Sequence, residues 1–178
     1  MADGMSRGMK GVVAGLAVVG AAGAFFSAYT LHRKPGAVAD VKVITHGEEV
    51  DLAAHRAPGK YTVFDFYAVW CPPCRVLGPA LERLAARRPE RLAIRKVDIV
   101  DWTMPVAAQY HVESLPYLVL FDDQGRRLAE GEAVFAALDR VFGEEASEVS
   151  QITGVEPQPN PAATAAPAAS AGATASGH

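Results

Sequence analysis

The chain holds two cysteines, three positions apart in the run Trp70-Cys71-Pro72-Pro73-Cys74. A structural zinc site needs about four Cys or His ligands. No second CxxC or HxxxH pair is present, and the histidines at 32, 46, 55, 111 and 178 are scattered. No metal is therefore expected. A disulfide across so short a loop constrains the unfolded chain little, so it makes a poor staple. What remains for a lone CxxC is redox chemistry, the reversible exchange between dithiol and disulfide. The Cys71-Cys74 pair would itself carry the electrons, so no separate cofactor is expected.

The surrounding elements must position those sulfurs. Tyr61 to Tyr67 is β-branched and aromatic with apolar residues of both parities, the pattern of a central strand buried on two faces. A helix begins at or just after Cys71. Pro72 and Pro73 suit its first turn, where backbone N–H groups lack partners anyway. Val76, Leu77, Ala80, Leu81, Leu84 and Ala85 recur at helical spacing, and Pro79 inside that pattern predicts a kink. Further strands are predicted over Val41 to Thr45, Leu92 to Val97, Pro116 to Phe121 and Arg126 to Glu130, with helices over Met104 to Tyr110 and Glu132 to Phe142. This alternation predicts an α/β fold, a mixed central sheet flanked by helices on both faces.

A helix starting at Cys71 favours that residue as the attacking thiol, because the free N–H groups and dipole of a helix N-terminus stabilise a thiolate. Cys74, one turn in, is expected to be less exposed and to resolve the mixed disulfide. Asp65 stands in an otherwise apolar strand. A buried carboxylate is costly unless paired or neutral, so its pKa is expected to rise.

Both ends are compositionally unlike the middle. Gly11 to Leu31 carries no charged residue, with Arg7 and Lys10 before it and Arg33 and Lys34 after it. About 20 apolar residues cross a bilayer core, so residues 11–31 are expected to form one N-terminal transmembrane anchor behind a tail of residues 1–10. A cleaved signal peptide ending near Ala22-Gly23-Ala24 is the competing reading. Residues 32–40 read as a spacer and 41–142 as the folded domain. Residues 143–178 read as a disordered Ala/Pro/Thr/Ser-rich tail, since prolines at 157, 159, 161 and 167 forbid a continuous helix. The net charge of −3, with both signs mixed, argues against a nucleic-acid surface.

From Val41 to Phe142 the chain resembles thioredoxin. The run Phe64-Asp65-Phe66-Tyr67-Ala68-Val69-Trp70-Cys71-Pro72-Pro73-Cys74 is similar to that family's strand and active-site segment, Leu115-Pro116 to its cis-proline loop and Gly125 to its hairpin turn. The resemblance implies that Pro79 kinks the first long helix and that Lys96 lies near Asp65. It also implies that Pro116 follows a cis peptide bond, holding the Leu115 backbone beside the dithiol for an extended substrate. On this reading Asp65 exchanges a proton with Cys74, Lys96 modulates Asp65, and Trp70 offers a flat contact surface. The structural alternatives are an Asp65–Lys96 ion pair, an ordinary strand-start proline at 116 and a core tryptophan at 70. His111, Trp102 and Tyr110 read as packing or surface residues, and Arg83, Arg87, Arg88 and Arg91 as a solvated basic face.

Direction is read from the turn. Pro72 and Pro73 offer Cys71 no N–H, and no histidine lies between the cysteines, so the thiolate is weakly stabilised and the pair is expected to donate electrons. The expected activity is protein-disulfide reduction by a monomer. Its domain faces the extracytoplasmic side, and a membrane thiol supplies its electrons. A disulfide oxidase or isomerase, and a non-catalytic binding module, are the alternatives.

Overall fold

The computed structural model describes residues 38–154 and 156–161. The proposed anchor over residues 11–31 lies outside them. Among the described residues no helix is long and apolar enough to cross a membrane.

Five strands form the main sheet: β1 (Asp40–His46), β2 (Tyr61–Tyr67), β3 (Leu92–Asp98), β5 (Tyr117–Phe121) and β6 (Arg127–Glu130), in the order β1-β3-β2-β5-β6. The pairs β1–β3 and β3–β2 are parallel; β2–β5 and β5–β6 are antiparallel. The sheet is therefore mixed, as the pattern predicted. β2 is central and buried along nearly its whole length, which is why it tolerates apolar side chains of both parities.

Side chains alternate across a strand, and each face of β2 meets its own core. Val63 joins Leu77, Leu81 and Leu84 of α1 (Pro72–Arg87) and Val134 and Leu138 of α3 (Ala133–Phe142). Phe64 and Phe66 join Val106 and Ala107 of α2 (Pro105–Gln109) on the other side. Each fully buried leucine contributes about 1.5–3 kcal/mol relative to exposure. Asp65 shares the parity of Val63 and so points toward α1.

The C-terminal boundary differs from the sequence reading. Residues 143–154 are not a disordered tail: the helical turn Gly143–Ala146, α4 (Ser147–Ser150) and the turn Gln151–Gly154 continue the fold. Ala146 and Val149 are fully buried in the α1–α3 core. The Arg cluster is likewise not simply a solvated face. The Arg83 Nε donates to Glu148 at 2.8 Å, Arg87 donates to the Glu145 carbonyl at 2.8 Å, and Arg88 bonds Glu145. Arg91 stacks over the Phe142 ring at 5.2 Å. Short polar segments without strong periodicity gave no sign of this docking. Further on, β7 (Gln158–Pro159) pairs antiparallel with the short strand β4 (Ser114–Leu115).

Candidate active site

Cys71 is the N-cap of α1, extended in backbone (φ −81, ψ 109), and its sulfur accepts the Cys74 N–H at 3.2 Å. Pro72 and Pro73 occupy the first turn and have no N–H to give, so Cys74 supplies the first amide of the helix that reaches the sulfur. The two cysteines form a disulfide. One expectation fails here. Cys71 is completely buried and Cys74 is 5 % exposed, so Cys74 is not the more sheltered of the two. Cys71 packs in the same apolar cluster as Ala68, Ile99 and Leu115.

Behind the dithiol, strand register brings Asp65 of β2 directly opposite Lys96 of β3. Lys96 Nζ donates to Asp65 Oδ2 at 3.2 Å and to Glu82 Oε1 at 3.4 Å, and lies 4.5 Å from the Tyr67 ring centre. Asp65 is 1 % exposed, and its Oδ1 is buried with no hydrogen-bond partner. Burial raises the Asp65 pKa above the usual carboxylate range, with Lys96 opposing and Glu82 adding to the rise. For Lys96, burial works against the ammonium, but the Asp65 and Glu82 carboxylates outweigh it and raise its pKa. A cleft of about 370 Å³ is lined by Cys74, Gly78, Pro79, Glu82 and Lys96. Pro79 lies inside α1, where its ring removes the bond to the Arg75 carbonyl.

The rim is apolar. Val69 is 71 % exposed, and Trp70, Val76 and Val100 are also open to solvent. Val76 thus leaves the buried stripe the helical spacing had assigned it to. The Trp70 indole donates to the Val100 carbonyl at 2.6 Å, and its ring lies 5.7 Å from that of Trp102. Val100 holds a left-handed backbone (φ 58), a conformation that costs a β-branched residue about 1–3 kcal/mol. Trp70 is a rim residue rather than a core one. The Leu115-Pro116 bond is cis. A groove of about 330 Å³ runs between Pro73, Ser114 and Pro116 and reaches Phe135 and Pro157.

Gly78, Glu82 and Val100 were not singled out in the sequence. For Gly78 a signal existed. Glycine inside a helix costs about 1 kcal/mol against alanine and needs a reason. A Cβ there would stand 3.0 Å from Lys96 Nζ and 3.9 Å from Asp65 Oδ2. Glycine leaves room for the ion pair.

The geometry agrees with comparisons to known proteins. The thioredoxin family profile matches residues 44–140, more than half of the chain. A thioredoxin-like protein of Fusarium culmorum is 35 % identical over 92 residues, 50 % of this chain and 75 % of that protein. A thioredoxin-like protein of Synechocystis is 39 % identical over 75 residues, covering 42 % of this chain and 70 % of its own. A thioredoxin of Chlamydia trachomatis is 51 % identical over 61 residues, 34 % of this chain and 58 % of that one. With a disulfide-forming pair at the helix start and a buried carboxylate behind it, the chain belongs to the thioredoxin family and is a thiol:disulfide oxidoreductase.

Proposed function

We propose that this protein is a membrane-tethered reductase of protein disulfides. The observation that carries the direction is the hydrogen bonding of Cys71. Its sulfur accepts the Cys74 N–H, while Pro72 and Pro73 have none to give. Weak thiolate stabilisation keeps the disulfide form favoured and the dithiol a good electron donor.

In the reduced protein the Cys71 thiolate attacks a substrate disulfide, forming one mixed disulfide and releasing one substrate thiolate. Cys74 then loses its proton and attacks Cys71 Sγ. The second substrate thiol leaves, and the Cys71–Cys74 disulfide carries away the two electrons' worth of oxidation. Asp65 is the acceptor for the Cys74 proton. Its pKa is raised, Oδ1 has a free lone pair, and the cleft beside Cys74 is roomy enough for a relaying water. Lys96 and Glu82 set the charge around that carboxyl. Trp70, Pro116 and the Leu115 backbone form the substrate-contacting edge.

The uncharged run Gly11 to Leu31 supports the tether, with the domain on the extracytoplasmic side. A membrane thiol then supplies electrons to a monomeric domain. Equilibrating the full chain in detergent with a glutathione redox buffer tests the direction. A potential near the thioredoxin value of about −270 mV is expected, and one near the strong-oxidase value of about −120 mV defeats the reading. Alkaline carbonate washing tests the tether. Release of the chain from membranes would remove that part of the proposal.

A further inference from the structure

The substrate-facing edge of the site is not bare. β4 (Ser114–Leu115) ends at the cis bond to Pro116, and β7 (Gln158–Pro159) pairs with it antiparallel, Ser114 opposite Pro159 and Leu115 opposite Gln158. The pairing extends one residue further, where the Asn160 N–H donates to the Glu113 carbonyl at 2.7 Å. The Asn160 side-chain amide also reaches the Val112 carbonyl at 3.4 Å.

The sequence of this segment fits a strand that pairs on one side only. In an antiparallel ladder, hydrogen-bonded and non-hydrogen-bonded pairs alternate. Asn160 opposite Glu113 is of the bonded kind, so Pro159 opposite Ser114 is of the other and loses nothing by lacking an N–H. Gln158 opposite Leu115 is bonded again. Pro159 therefore falls on the outward side, and Gln158 and Asn160 on the inward side, with Pro157 just before the strand. The outward edge cannot be extended by another strand. Pro157 also lines the groove that begins at Pro73 of the dithiol turn. In this arrangement Cys71 has no exposed surface.

We propose that the chain's own segment Glu156–Pro161 is a resident occupant of the polypeptide-docking edge Glu113–Leu115. Protein substrates engage the dithiol by displacing it. This rests on the reductase reading of the same site and adds a gate to it. Polypeptides that need the edge meet a competitor, whereas small disulfides that need only the sulfurs do not.

The test compares the full chain with a chain ending at residue 155 and with the double variant Gln158→Pro, Asn160→Pro, which removes both inward N–H donors. Both altered chains are expected to show a KM for insulin disulfides lowered about fivefold, with kcat kept, as freeing an edge that is mostly occupied requires. Their rates with oxidised glutathione should equal that of the full chain. Amide hydrogen exchange at Leu115 should accelerate at least about tenfold in both, since a paired edge exchanges only on opening. Equal KM values for insulin across the three chains, or unchanged exchange at Leu115, overturn the proposal. Failure of all three to reduce either substrate would count against the reductase reading alone, because Leu115 exchange still reports the occupant.

Discussion

Lys96 binds only one of the two carboxylate oxygens of Asp65, leaving Oδ1 enclosed and without a protein hydrogen-bond partner. An ion pair serving stability alone would have its acceptors satisfied, because a buried polar atom left bare costs about 1–3 kcal/mol. On Asp65, the open oxygen can take up a proton without first displacing the ammonium.

Asp65→Asn is the direct probe. The resolution of mixed disulfides should slow by about a hundredfold at neutral pH, the scale of a lost general base. Stability should move the other way. Burial raises the folded-state pKa above the usual 3.8, so the folded protein holds this proton more tightly than the unfolded chain. The stability linked to it is full below the unfolded value and is lost as pH rises through the folded one. At neutral pH the Asn variant should therefore melt higher, by about 4 °C for each ~1 kcal/mol regained. The advantage should vanish in acid. Calorimetry across pH, set beside single-turnover kinetics, checks both signs.

Gly78→Ala should separate helix stability from site function. Alanine improves a helix interior by about 1 kcal/mol, but its Cβ would crowd Lys96 Nζ. The ammonium shifts away from Asp65, and the carboxyl pKa climbs further. The expected result is an unimpaired melting temperature with the pH profile of disulfide reduction moved to higher pH. An unmoved profile would mean the Lys96 contact does not govern Asp65.

The two sulfurs should be unequal in a trapping experiment. Cys74→Ser should accumulate substrate polypeptides joined to Cys71, visible by mass spectrometry and released by dithiothreitol. Cys71→Ser should trap none. Trapping at Cys74 instead would reverse the assigned roles.

The C-terminal extension should behave as part of the domain. Val149 is fully buried, so Val149→Ala should cost about 2 kcal/mol from lost burial and the cavity left behind. Arg83→Ala removes a solvent-exposed ion pair to Glu148 and should cost far less than Val149→Ala. Urea titration of both variants distinguishes an integral element from a loosely attached one.

The main sheet and the dithiol were legible because their signals are local. β2 has two apolar parities, α1 has helical periodicity, and the cysteines sit at its start. Asp65 was conspicuous as a charge in an apolar strand. What escaped depends on contacts distant in sequence. Gly78 acquires its reason only when β3 brings Lys96 across from Asp65. Ala146 and Val149 sit in segments too short to show a period, and they are ordered by packing on α1. Prolines 157 and 159 argued against a helix at that point, and Gln158–Pro159 is a strand. That exclusion did not rule out a strand paired on one side, and composition alone could not supply the partner at Glu113–Leu115.

Gln151–Gly154 leaves the core only a few residues before β7. A competitor joined by so short a connection acts at an effective concentration of about millimolar, whatever its intrinsic affinity. A weak pairing of two or three residues can thus hold the edge against dilute encounters. The threshold it sets is one of binding strength and abundance: passing contacts are turned away, while a polypeptide that also grips the apolar rim at Trp70 and Val69 gets through.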